Sequence, residues 1–166
     1  MVIRKEKESD IEEIFEVTKK AFENHPYSNN TEQFIVNALR TANALTISLV
    51  AEIEGKVVGH IAFSSATISD GSLNWYILGP ISVLPEFQKQ GIGKSLIYEG
   101  ISSLKSLGAQ GCVLVGEPDY YTRFGFRSFS DLIMEGVPQE NVLALPFDKK
   151  RAQGNIVHHQ AFFAES

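Results

Sequence analysis

The segment richest in chemical possibility runs Val83-Leu84-Pro85-Glu86-Phe87-Gln88-Lys89-Gln90-Gly91-Ile92-Gly93-Lys94-Ser95. Glycines at 91 and 93 remove side chains where a helix is about to start, so successive backbone N–H groups and the positive end of the helix dipole can converge on an anion such as a phosphate. Lys89 and Lys94 add local positive charge. The spacing is neither the dinucleotide fingerprint Gly-x-Gly-x-x-Gly nor the longer P-loop, and two glycines ahead of a helix can also serve only to turn a tight corner. Upstream lies Gly79-Pro80, inside an apolar run that reads as a strand. Proline removes a ladder donor and glycine permits a bulge, so regular pairing should fail there and leave backbone groups around Ile81 to Val83 free for a ligand. Cys112, the single cysteine, sits in the apolar run to Val115 and reads as a packed thiol rather than a nucleophile. His25, His158 and His159 show no metal-ligand spacing with acidic partners, and no metal is expected.

The elements that must position these residues follow from periodicity. Val2 to Lys5 reads as a short strand, and Ser9-Asp10-Ile11-Glu12 has the spacing of a capping box that opens a helix carrying Ile11, Ile14, Phe15, Thr18 and Phe22. His25-Pro26 must stop it. Asn30 or Thr31 can cap a second helix that ends near Thr41. From Leu45 the period changes to two, with Ile47, Leu49, Ala51 and Ile53 on one side. Glu54-Gly55 and Asp70-Gly71 then divide three successive strands, the third running from Leu73 to Val83. Gln90 to Leu107 reads as a helix stopped by Gly108, Cys112 to Val115 as a buried strand, and Asp119 to Phe124 as a helical turn. Val142 to Leu145 and Asn155 to His158 are further strand candidates. This order predicts a three-layer mixed sheet covered by helices.

Composition narrows the function classes. A length of 166 residues, 43% apolar, predicts one globular domain spanning 1–166, with a core of about 1–147 and a C-terminal extension over 148–166. Fifteen Lys and Arg against twenty Asp and Glu leave a net charge of −5, which disfavours nucleic acid as a partner but permits a local basic pocket. A lone cysteine, a charged N-terminus and the lack of a roughly 20-residue apolar run predict a cytoplasmic chain with no membrane partner.

Gln88-x-x-Gly91-x-Gly93, after the strand ending Ile81-Ser82-Val83-Leu84-Pro85, resembles the pyrophosphate-binding motif of the GCN5-related N-acetyltransferase (GNAT) superfamily. Tyr121-Thr-Arg-Phe-Gly125-Phe126 resembles that superfamily's Tyr-x-x-x-Gly-Phe segment. Together with Leu78 to Gln88, Gly116 to Phe126 and Val137 to Leu145, these runs look like the YhbS-like branch of N-acetyltransferases. At the C-terminus that branch usually reads His-Pro-Ala-Phe, where this chain has Gln160 before Ala161-Phe162.

The resemblance implies an acyl-CoA N-acyltransferase fold, an α+β three-layer sandwich whose mixed, mostly antiparallel sheet is split into a V. It implies acetyl-CoA as donor, an amine as acceptor and direct transfer without a covalent enzyme intermediate. Gln88, Lys89, Gln90, Gly91, Ile92, Gly93 and Lys94 would hold the pyrophosphate, and Ile81, Ser82 and Val83 the pantetheine arm. Tyr121 and Phe124 would close the cofactor site, with Tyr121 as the general acid that protonates the departing thiolate, since a phenol with pKa about 10 keeps its proton at neutral pH. An ammonium acceptor must also lose a proton. Glu117 is the first candidate base, at the C-terminal end of the strand from Cys112, and His60 the second. The loop Glu23 to Asn30, Tyr76 and the segment after Phe126 should face the acceptor, a small amine or a protein N-terminus. A homodimer is allowed. The same motifs also fit a CoA-binding sensor without catalysis or, at lower rank, a site for another nucleotide.

Overall fold

The computed structural model describes residues 1–166, in the order β1 (Val2–Lys5), α1 (Ile11–Phe22), α2 (Glu32–Thr41), β2 (Ile47–Ile53), β3 (Lys56–Ile68), β4 (Trp75–Val83), α3 (Ile92–Ser106), β5 (Gly111–Val115), α4 (Pro118–Tyr121), β6 (Leu132–Ile133), β7 (Val142–Pro146) and β8 (Gly154–Val157). The strands lie side by side as β1-β2-β3-β4-β5-β7, with β8 against the far end of β3 and β6 against β8. Only β4 with β5 and β6 with β8 run parallel. No helix is long and apolar enough to cross a membrane.

Helices cover both faces. A Cβ on Gly59 of β3 would meet Ile92 and Leu96 of α3 at 3.2 Å, so Gly59, Ile61 and Phe63 face α3. His60 and its alternate neighbours face α1 and α2 on the other side. Because both faces are covered, β2 buries Val50 completely although simple alternation assigned it to the polar side. A second apolar cluster, with Trp75, Ile77, Val113, Val142 and Ile156, lies where β6 and β8 cover the sheet. Residues 148–166 are built into the packing: β8 pairs Ile156 with Ile68, and Ala161 packs on Ile35 and Leu39.

Several boundaries differ from the sequence reading. The third strand starts at Trp75 rather than Leu73, and the long helix at Ile92 rather than Gln90, because Gly91 is its left-handed cap. Thr31 precedes α2 without a side-chain cap bond; instead Ser28 donates to Glu32 and the Gln33 amide donates to the Asn30 carbonyl. The two-residue strand β6 is too short to leave a periodic signal.

The predicted capping box is also replaced. A 3₁₀ turn over Glu8–Asp10 leads into α1, and the Asp10 carboxylate accepts the Lys7 N–H at 2.7 Å. Arg4 of β1 grips the same carboxylate with two bonds, 2.7 and 3.0 Å. The hydrogen bond from Arg4 holds the Asp10 pKa below the usual carboxylate value, against the opposing effect of burial. A depressed folded pKa contributes stability above the unfolded value of about 3.9, and that stability is lost as pH falls through the folded pKa. Asp10→Asn should therefore lower the urea midpoint at pH 7, and the gap to wild type should close as pH is taken toward 2.

Candidate active site

The site is built where β4 and β5 part company. They pair only from Trp75 with Gly111 to Ile77 with Val113, and beyond Ile77 that edge of β4 has no partner strand. On the other edge, Ile61 of β3 aligns with Ile81 and Phe63 with Leu78, so β4 carries one extra residue at Gly79-Pro80. This is the expected bulge. After it, the Leu84 N–H bonds the Val58 carbonyl and Ser82 lies opposite His60, which directs the N–H groups of Ile81 and Val83 away from β3 and into the split. The Val83 carbonyl points the same way, where the Gln88 amide donates to it at 3.0 Å. That bond ties the strand to the turn that follows.

In the turn, Lys89 has φ 62° and Gly91 φ 84°, both left-handed. No side chain caps α3, which leaves its first amides open toward solvent. A groove of about 490 Å³ runs along these features, lined by Ile81, Ser82, Val83, Gln88, Lys89, Gly91, Ile92, Gly93 and Lys94. The split strand edge and the uncapped helix end therefore form one continuous surface, with Lys89 and Lys94 as its cations.

Three residues expected here stand apart from the groove wall. The Gln90 amide is directed at the Glu86 carbonyl, 3.4 Å away, bracing the turn. Phe124 is buried edge-on to Tyr98 and Tyr120. Tyr121 lies deeper, its ring covering Gly116 where a Cβ would stand, and edge-on to Tyr120 and Phe126 at centroid distances of 5.0 and 6.0 Å. Burial first, then Tyr120 and Cys112 beside it, pushes the Tyr121 phenol up to about 12. Its proton is thus held more firmly than an unperturbed phenol would hold it. Cys112 is wholly buried and its thiol is raised by that burial, which suits packing and not attack.

Tyr120, Arg123 and Phe87 line the groove in addition to the expected residues. Tyr120 would place its hydroxyl 3.4 Å from a Cβ at Gly93, and the Arg123 guanidinium lies 4.7 Å from the Tyr120 ring centre. The signal was available: residues three apart on a helical turn share a face, so Tyr120 goes with Arg123 while Tyr121 goes with Phe124. Glu117 is exposed at the start of α4, with no side-chain hydrogen bond; its carbonyl receives the Tyr120 and Tyr121 amides. His60 is fully buried beneath α1 and α2. His158 stacks on Phe162 and His159 caps the turn at Ala161, both in packing roles. No three His, Cys, Asp or Glu side chains gather where they could hold a metal ion.

A family profile described as "Acetyltransferase (GNAT) domain" matches residues 2–129. The chain belongs to the GNAT family of acetyltransferases. It is 35% identical over 128 residues to the Escherichia coli K12 protein named "Uncharacterized N-acetyltransferase YhbS", an alignment covering 76% of this chain and 74% of that one. A crystal structure of a GNAT family acetyltransferase from Brucella melitensis in complex with acetyl-CoA is 47% identical, with a TM-score of 0.87 over 97% of each chain. The E. coli YhbS structure in complex with CoA is 28% identical, with a TM-score of 0.89 over 99% of this chain and 93% of that one. The mixed sheet flanked by helices is thus a GNAT fold, as the motif resemblance implied.

Proposed function

We propose that this GNAT chain transfers the acetyl group of acetyl-CoA to an amine by direct attack. The observation that carries the reading is the continuity of the open β4 edge with the uncapped, glycine-containing start of α3. A thioester arm needs amide partners and a pyrophosphate needs N–H donors without side chains in the way; the two stand end to end here. The fit is supported at Gly91 and Gly93, since side chains there would project into the groove they line. The Brucella melitensis and E. coli relatives, crystallised with acetyl-CoA and CoA, support the same donor.

In this reading Gln88, Lys89, Gly91, Ile92, Gly93 and Lys94, with Tyr120 and Arg123, hold the phosphates. The Ile81 and Val83 amides hold the pantetheine arm, and the donor nearest the thioester polarises its carbonyl as charge develops. Tyr121, whose ring lies over Gly116 beyond the paired stretch of β4 and β5, gives its proton to the departing sulfur. Glu117, exposed at the end of β5, removes a proton from the arriving ammonium. The lone thiol is too deeply buried to carry an acetyl group, which favours direct transfer over a covalent intermediate. The loop between α1 and α2, exposed at His25 and Tyr27, faces the acceptor, a small amine or an N-terminal amine.

Calorimetric titration tests the donor site. Acetyl-CoA should bind in the micromolar range and ATP should not displace it. Absence of binding at high micromolar acetyl-CoA, or full displacement by ATP, would overturn the assignment.

A further inference from the structure

The cofactor groove holds one cation that the fold leaves without a partner of opposite charge. Of the five arginines in the chain, Arg4, Arg40 and Arg151 are each bound to a carboxylate, and Arg127 donates to the Phe126 carbonyl. Arg123 has neither kind of partner. Asp119 stands four residues before it, the spacing at which helical ion pairs form, yet no ion pair joins them. Instead the Arg123 guanidinium is exposed on the groove wall, 4.7 Å from the Tyr120 ring centre. The ring face attracts the charge but leaves the guanidinium N–H donors without an oxygen.

Tyr120 also fixes where that cation stands. Its hydroxyl would lie 3.4 Å from a Cβ at Gly93, so the ring reaches from α4 to the first turn of α3. Arg123 is thereby held on the α4 wall of the groove, while Lys89 and Lys94 flank the glycines on the α3 wall. The two walls offer different chemistry. The start of α3 presents backbone N–H groups with no side-chain cap, which suit the oxygens of a pyrophosphate lying along the groove. Arg123 presents a planar fork of donors, which matches the bare oxygens of a terminal phosphate. Coenzyme A carries one group of each kind: an in-line pyrophosphate, and a monoester on the ribose 3′ position with a charge of about −1.5 to −2 at pH 7.

We infer that Arg123, held over the Tyr120 ring, binds the ribose 3′-phosphate of the donor, so that the groove selects CoA thioesters over nucleotides and thioester carriers that lack this group. The inference rests on the acetyltransferase reading, which places the pyrophosphate at the start of α3. It also supplies a reason for the exclusion of ATP. A triphosphate can reach the helix end, but its ribose brings no 3′-phosphate to the opposite wall.

Calorimetry with CoA and with 3′-dephospho-CoA, which differs by that phosphate alone, tests it. Wild type should bind CoA about 10–100-fold more tightly, the worth of a charge-assisted hydrogen bond. Arg123→Ala should lose that factor for CoA and leave 3′-dephospho-CoA nearly unchanged, so that the preference collapses. Arg123→Lys, which keeps the charge without the fork, should recover part of it. Lys94→Ala supplies the contrast: standing beside the pyrophosphate, it should weaken both ligands alike. Arg123 is exposed, so its replacement leaves the core intact, and melting curves check this. A wild type that does not distinguish the two ligands overturns the inference before any variant is made. Equal loss of both ligands in Arg123→Ala, or collapse of the preference in Lys94→Ala instead, also overturns it while the donor site stands. If neither ligand binds wild type, the donor reading itself fails and the inference falls with it.

Discussion

Tyr121→Phe is expected to lower kcat by about 10²–10³-fold while leaving the affinity for acetyl-CoA nearly unchanged. The phenylalanine ring fills the same space over Gly116 and against Tyr120 and Phe126, so only the hydroxyl is removed. The loss should therefore appear in the step that expels the thiolate and not in binding. Tyr120→Phe gives the contrast: Tyr120 lines the groove, so its hydroxyl should matter to cofactor affinity more than to kcat. Because burial pushes the Tyr121 phenol up to about 12, its ionisation cannot produce an alkaline fall in rate between pH 8 and 10. A decline in that range would belong to another group. Equal kcat for Tyr121→Phe and wild type would remove the tyrosine from the mechanism.

The second large effect is at the start of α3. Gly91 has φ 84°, a conformation that costs an L-residue about 1–2 kcal/mol, and its replacement by Val adds a branched side chain at the mouth of the groove. If the helix end cradles a pyrophosphate, displacing one or two charge-assisted bonds of about 1.5–3 kcal/mol each should weaken acetyl-CoA binding by about 10–100-fold. Gly93 separates strain from occlusion. A Cβ there meets nothing nearer than 3.4 Å, so Gly93→Ala should be mild, whereas Gly93→Leu should project into the groove and match Gly91→Val. Calorimetry with acetyl-CoA reads all three. Unchanged affinity in Gly91→Val and Gly93→Leu would place the phosphates elsewhere.

Sequence made the cofactor half of this site legible because its physics is local. A bulge at Gly79-Pro80, a glycine turn and the start of the following helix lie within the sixteen residues 79–94, so each could be inferred from residue type and order alone. The hairpins at Glu54-Gly55 and Asp70-Gly71 are legible for the same reason. What stayed hidden depends on contacts between distant segments. Glu6 just after β1, Arg40 of α2, Ser48 of β2 and His60 of β3 come together from four separate segments, and neither periodicity nor spacing links them. The pairing of β8 with β3 spans nearly ninety residues, so the C-terminal segment read as an extension although it buries Ala152, Ile156 and Ala161. Arg123 and Tyr120 fall between these cases: their shared helical face was in the sequence, but the Tyr-x-x-x-Gly-Phe spacing drew attention to Tyr121 alone.

The proposal that this chain is a working transferase, and not a sensor that only binds CoA, is tested most directly by free-thiol release from acetyl-CoA in the presence of a panel of dipeptides and small primary amines. The account predicts that at least one amine raises thiol release well above the amine-free rate, that acetylated amine appears one for one with thiol, and that both vanish together in Tyr121→Phe. Micromolar binding of acetyl-CoA with thiol release that no amine accelerates would contradict it.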